Sequence, residues 1–272
     1  MNLITYNSFN ELLNIINAPE PLPGRENDSR GGDAAFTGTQ DWDEAYQLFI
    51  KGDRESFNKI KEKRSHLKKY QEALIEHKHR KPTNQVEGTL PNVPNYLMGV
   101  PNNMIRYETV TKKKKIVRIF YNRSAVWSVS TEELSEFGVY IASLINGIEL
   151  SGRRVELWIG SVYKGRQGLE GWRIKLKGAR EPLNLYKLSF SLVNPSFLRR
   201  IDFAVSERDP RLSNTTTTNY GTVVSNSDTL KQINAVDKGI VLDYDSLERL
   251  ISSVNDGSID LDEYIRKGEI DE

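Results

Sequence analysis

The chain contains no cysteine, which excludes a disulfide framework, thiolate metal sites and thiol redox chemistry. Histidine is nearly absent too: His66, His77 and His79 all lie in one lysine-rich stretch. A histidine zinc site or a Ser/His/Asp triad would have to draw on that stretch alone, and a solvated basic helix accounts for it. No run approaches the roughly 20 apolar residues of a membrane span. The start, Met1-Asn2-Leu3-Ile4-Thr5-Tyr6, lacks the basic and apolar regions of a secretory leader, so cytoplasm is the expected compartment. Gly-x-x-x-x-Gly-Lys-Ser/Thr and Gly-x-Gly-x-x-Gly phosphate loops are missing as well. Gly165, Gly168 and Gly171 recur every third residue, but between strands, where turn geometry accounts for them. The carboxylate pairs Asp41/Asp43 and Asp260/Asp262 fall on polar helices, not in the apolar setting of a general acid/base pair. The expectation is a non-enzymatic protein with no catalytic residue and no cofactor.

What the chain does have is uneven charge. Its 272 residues sum to a net +1. Residues 51–81 nevertheless hold eleven Lys/Arg against five Asp/Glu, and residues 226–272 hold five against twelve. Intramolecular neutralisation, two solvated faces and two different partners all fit that asymmetry.

Periodicity predicts an α/β fold with a mostly parallel central sheet, flanking helices, an N-terminal helical region (1–81) and a short acidic helical tail (228–272). Ser8 and Glu11 are spaced as a capping box before a helix over 8–17. Pro19, Pro21 and Pro23 end it and open a mobile loop over 19–35. Trp42, Ala45, Tyr46 and Phe49 mark a helix over 41–51, with Gly52 as its stop. Phe57, Ile60, Leu67 and Leu74 give a narrow seam to a basic helix over 53–78. Four prolines make 82–103 an extended connector. The core domain, 92–210, begins in earnest at Lys115–Tyr121, an apolar run expected of a strand covered on both faces. Ser130 and Glu133 cap a helix with Leu134, Phe137, Ile141, Leu144, Ile145 and Ile148 on one face. A strand at 153–159 follows, and strand–helix–strand implies a parallel, right-handed crossover. A third strand at 172–176, a helix over 182–191, a helical turn at Pro195 and a fourth strand at 201–205 complete the core. Residues 213–227 read as low-complexity linker. Ile240–Leu242 is a short apolar segment before two acidic helices, the first capped by Asp245 and Glu248 and stopped by Gly257, the second over 260–267.

Ligands of parallel sheets bind at the carboxyl ends of strands, where Asn122-Arg123-Ser124-Ala125-Val126-Trp127-Ser128 sits. The loop resembles that of von Willebrand factor A-type domains, in which Asp-x-Ser-x-Ser holds a divalent cation. Here Asn122 stands at the Asp position, Ser124 fits, and Val126 replaces the next ligand, with Ser128 beyond. Hard cations want several, preferably anionic, oxygens, so this degenerate loop is expected to be structural and a divalent cation is not. For nucleic acid, the candidate contacts are Lys112, Lys113, Lys114, Lys115, Lys68 and Lys69. Arg153, Arg154, Arg199, Arg200, Trp158, Tyr163 and Trp172 are candidates to line a groove that suits single strands. Lysine runs before strands also serve as solubilising gatekeepers.

Four stretches resemble an uncharacterised domain family of tailed bacteriophages and mobile elements: 93–104, 117–130, 138–157 and 194–207, with 36–45 also fitting. Such relatives carry His more often at the position of Asn194 and Asp at that of Asn122, and both departures remove groups that could do chemistry. The resemblance implies a phage origin without an activity. Three functions follow as expectations. The first is protein–protein binding or self-assembly through the core, with Arg199, Arg200, Glu207 and Glu156 in structural ion pairs. The others are a single-stranded nucleic-acid-binding accessory of transcription or replication, and a virion component.

Overall fold

The computed structural model describes residues 2–25, 28–63, 80–109, 115–126, 128–165, 168–212, 222–224 and 238–270. The chain divides into a major unit, residues 1–74 with 115–272, and an insert, residues 75–114. Its described strands are β1 (Asn2–Tyr6), β2 (Arg80–Gln85), β3 (Leu90–Pro91), β4 (Met104–Thr109), β5 (Ile116–Asn122), β6 (Arg154–Gly165), β7 (Gly168–Lys177), β8 (Thr222–Val223), β9 (Ile240–Leu242) and β10 (Glu269–Ile270). Its described helices are α1 (Phe9–Ile16), α2 (Ala34–Thr37), α3 (Trp42–Lys51), α4 (Arg54–Lys63), α5 (Val93–Leu97), α6 (Thr131–Leu150), α7 (Leu185–Val193), α8 (Phe203–Arg208), α9 (Tyr244–Asn255) and α10 (Leu261–Arg266). A π-helical turn, Phe197–Asp202, leads into α8.

The major unit is mixed α/β with a mostly parallel central sheet and flanking helices, as its periodicity predicts. The sheet runs β1–β7–β6–β5, and β10 and β9 then share the outer edge of β5. The β5–α6–β6 crossover makes a parallel pair from Ile116↔Arg154 to Asn122↔Gly160. β6 and β7 form an antiparallel hairpin, and β1 lies parallel to β7. Alternation sorts the strands' side chains onto two faces. Ile4, Tyr6, Val117, Ile119, Tyr121, Val155, Leu157, Ile159, Trp172 and Ile174 share one core with the buried residues of nearly every helix of the unit. The opposite face holds a smaller cluster of Phe120, Val162 and Val241, with Leu3 and Trp158 against it. β5 is accordingly buried along its length except at Arg118.

Local signals explain the helices. Ser130 Oγ accepts from Glu133 N (3.1 Å), and the Glu133 carboxylate accepts from Ser130 N (2.8 Å), closing the expected box. Ser8 caps α1, while the Glu11 carboxylate reaches Asn7 N (2.9 Å). Asp41 caps α3, and Gly52 ends it at φ +95°. α9 is capped by the pair Asp243 and Ser246, two residues before the expected Asp245 and Glu248.

Several expectations are corrected. Residues 201–205 are not a strand but the end of the π-turn and the start of α8. Phe197, Ile201, Ala204 and Val205 recur at helical spacing and all enter the core, a period that the window 201–205 is too short to show. Residues 82–103 are not an extended connector: they supply β2, β3 and α5 of the insert. Pro82 and Pro91 are tolerated because β2 and β3 are the edges of the β2–β4–β3 sheet. Pro94 sits in the first turn of α5, where an N–H has no helical partner. The described part of 19–35 is anchored, with Arg25 and Ser29 buried and a 3-10 turn at Ser29–Gly31. The expected helix over 53–78 is described only as α4; Leu67 and Leu74 lie outside the described residues, as does the 213–227 linker apart from Thr222–Val224.

One contact gives a direct test. A Cβ on Gly138 of α6 would lie 2.0 Å from the Leu192 carbonyl oxygen on α7, so these helices meet backbone to backbone. Ala is the better helix former by about 1 kcal/mol, yet Gly138→Ala is expected to lower stability, because overpacking costs about 1–3 kcal/mol and this clash is with main chain. Urea unfolding reads the sign; a gain in stability would refute the close approach.

Candidate functional site

The loop after β5 turns its polar groups inward. Asn122 Oδ1 accepts from Ser124 N and Val162 N, both at 3.1 Å, and Ser124 Oγ donates to Val162 O at 2.8 Å. Both side-chain oxygens are therefore committed to the backbone that extends the β5–β6 ladder. Ser128 is exposed. Arg123, between Asn122 and Ser124 in sequence, is buried and donates to Tyr121 Oη, Leu192 O and Asn194 O. The described residues contain no group of three or more His, Asp or Glu placed to hold a metal ion.

The π-turn beside this loop carries the densest buried polar chemistry. Asp202 accepts from Ser161 Oγ (2.5 Å) and from Trp172 Nε1, both on the hairpin β6–β7. Burial pushes its carboxyl up to about 6, against the opposing pull of those two donors and of Arg123. Arg199 and Arg200 point to carbonyls, not to the carboxylates expected of ion pairs. Arg199 donates to Phe36 O and Val129 O. Arg200, fully buried, donates to the carbonyls of Ser29, Arg30, Gly32, Thr39 and Gln40 and to Thr39 Oγ1. Glu207 does form an ion pair, with Arg208 at 2.5 Å, and also accepts from Ser29. Glu156 pairs with Arg118 at 2.6 Å and Lys175 at 3.3 Å. Asn194 is a structural hub: its amide donates to Asp53, the residue that caps α4, and accepts from Ser196 N.

The expected basic and aromatic groove is not assembled. Arg200 and Trp172 are completely enclosed, and Arg153 and Tyr163 are buried. Arg153 is spent on Asp262 (2.5 Å) and Glu269 (3.1 Å), and Lys115 also pairs with Glu269. Part of the charge asymmetry is thus neutralised within the major unit. Lys68, Lys69, Lys112, Lys113 and Lys114 lie outside the described residues. Of the groove aromatics, Trp158 alone is half-buried, with Arg173 and Lys175 at 4.6 and 4.8 Å from its ring centre.

The insert inverts this pattern. Its central strand is fully paired: β4 pairs with β2 along its whole length and with β3 at Met104 and Ile105. Gly88 lets Ile105 approach where a Cβ would lie 2.4 Å from its carbonyl oxygen. Gly99, at φ +69°, follows α5, whose carbonyls accept from Met98 and Gly99. Its side chains have no such shelter. Val86, Leu90, Val93, Tyr96, Leu97, Met98, Val100 and Tyr107 are all exposed, Leu97 by 78%, and none of residues 82–107 is buried. Contiguous exposed apolar surface marks interaction sites. Sequence reasoning missed it because prolines hid the strands, although Tyr96-Leu97-Met98 already stood there without a helical or strand face to join.

All 272 residues match the model of a family described as a domain of unknown function, DUF7192. This chain belongs to that family. No curated protein and no solved structure matches it.

Two changes test the buried network of this DUF7192 chain. Asp202 holds its proton more tightly folded than unfolded, so folding loses stability as pH rises from about 4 to about 6. Asp202→Asn cannot ionise and should gain on the wild type across that window, as melting temperatures at its two ends will show; a constant difference would sink the assignment. Arg200→Ala strands five carbonyls and is expected to cost about 3–5 kcal/mol, the range for breaking a buried charged contact. Limited proteolysis should then cut within 28–40, and intact protein at that stability loss would contradict the clasp.

Proposed function

We propose that this chain is a non-enzymatic, phage-encoded protein of the host-cell cytoplasm that works by binding protein, with the insert as its docking element. One observation carries the reading: a three-stranded sheet with a full set of apolar side chains and none of them buried. Such a sheet needs a covered hydrophobic face for stability of its own. The sequence resemblance to a domain family of tailed phages supports the origin. The inward-turned Asn122 and Ser124 support a von Willebrand A-like core whose cation loop has become structural.

The test is the double substitution Leu97→Asp with Met98→Asp. The major unit should melt at the wild-type temperature. A protein retained by the wild type from host lysate, then purified and titrated, should bind the variant at least about tenfold more weakly, since interface energy concentrates in a few buried apolar anchors. Equal affinity would retire the insert as the docking element.

A second reading, single-strand nucleic-acid binding, is favoured by Trp158 between Arg173 and Lys175, a cation–aromatic pattern on a sheet face. It requires affinity for labelled single-stranded DNA that falls by orders of magnitude between about 50 and about 200 mM salt. It also requires weakening by Trp158→Ala. Absence of binding at the lower salt eliminates it.

A further inference from the structure

We infer that the surface covering the insert is the acidic C-terminal face of a second copy of this chain, docked head to tail. The inference rests on the reading of the insert as a protein-docking element and names its partner. Charge selects the partner. The insert, residues 75–114, holds seven Lys/Arg against three Asp/Glu. The pairing Arg80↔Thr109 brings the start of β2 and the end of β4 together, and in the sequence the basic runs 77–81 and 111–115 flank those two strands. Two inserts facing each other would set like charge on like charge, which is costly across an interface.

The chain carries the complementary surface on its major unit. Residues 238–270 hold four Lys/Arg against eight Asp/Glu, and Asp245, Glu248, Asp256, Asp260 and Glu263 on and around α9 and α10 are exposed. The same unit offers an exposed apolar side chain. Leu150, at the end of α6, is 58% exposed and stands three residues before Arg153, whose guanidinium holds Asp262 of α10. Exposed apolar side chains on a net basic element would thus meet an exposed leucine on the net acidic major-unit surface. Because the two patches differ, the contact is heterologous: each copy uses its insert once and its acidic face once, and the chain of contacts continues until it closes into a ring or runs on as a filament.

Sedimentation of the purified full chain at rising micromolar concentration tests this, with two variants beside the wild type. One variant carries Leu97→Asp and Met98→Asp, and the other Leu150→Lys and Glu263→Lys; melting temperatures confirm that both major units are folded. The wild type should form assemblies larger than dimers that dissociate in high salt. Each variant alone should be monomeric. Mixed in equal amounts they should form a one-to-one dimer and nothing larger, because one supplies an intact acidic face, the other an intact insert, and both remaining surfaces are dead. Assemblies that survive Leu150→Lys and Glu263→Lys overturn the head-to-tail contact in favour of another surface. A monomeric wild type also overturns it, and amide exchange over 80–109 then separates the two readings. Fast exchange leaves a docking element awaiting a different protein, whereas protected amides mean the insert is stable uncovered and retire the docking reading as well.

Discussion

Buried guanidinium groups hold this structure together by closing the open ends of its helices. The last turn of a helix leaves carbonyls without internal partners and carries a partial negative charge. Here those ends receive arginines from distant segments. Arg30 reaches Ile16 O and Ala18 O behind α1. Arg123 reaches Leu192 O and Asn194 O behind α7. Arg25 reaches Ser206 O, Asp209 O and Leu212 O behind α8. Hydrogen bonds to a charged partner are worth about 1.5–3 kcal/mol each, and a buried donor left without one costs a comparable amount. Each arginine therefore fixes the position of the segment that bears it, and Arg200 does the same for the two strands of chain around Gly32 and Thr39. Irregular stretches that would otherwise run loose over the surface become part of the interior.

The same saturation extends to buried acidic groups of the major unit. Several of its buried carboxylates are occupied: Asp53 caps α4, Asp209 accepts from Tyr6 and Arg211, and Asp202 bridges Ser161 and Trp172. A group already saturated by fixed partners has little capacity left for a substrate. The insert stands at the other extreme, with its central strand paired and its apolar side chains exposed. The contrast between occupied buried polar groups in one unit and exposed apolar side chains in the other is what directs attention to the insert.

The sequence was legible where one period dominated over enough residues. α6 could be read from Ser130 to Leu150 because cap, box and apolar stripe agree, and the β5–α6–β6 crossover followed from it. Reading failed where the deciding partner was remote. Ile201-Asp202-Phe203-Ala204-Val205 looks like a strand until Phe197 is included, and its helix is held by contacts from β6 and β7. The prolines of 82–103 argue against strands only if those strands are internal, and edge position is a property of the assembled sheet. Arg25, Arg30 and Arg200 look like surface charge in any window, since their acceptors lie from 11 to 187 residues away. Asn122 and Ser124 stand out in the sequence as polar residues after the apolar run, but nothing local shows that both turn toward Val162.

The placement of β1 and β10 has a consequence for how the protein is made. Residues 2–6 pair with β7 at one side of the sheet, and residues 269–270 pair with β5 at the other. β1 must therefore wait for a hairpin made some 160 residues later in the chain, and the outer edge of β5 is only partly covered by β9 until β10 has been joined. Such remote pairings slow folding and leave strand edges available to neighbouring nascent chains. When many copies are translated at once, the interval before residue 270 emerges is when this protein is most exposed to aggregation and to chaperones.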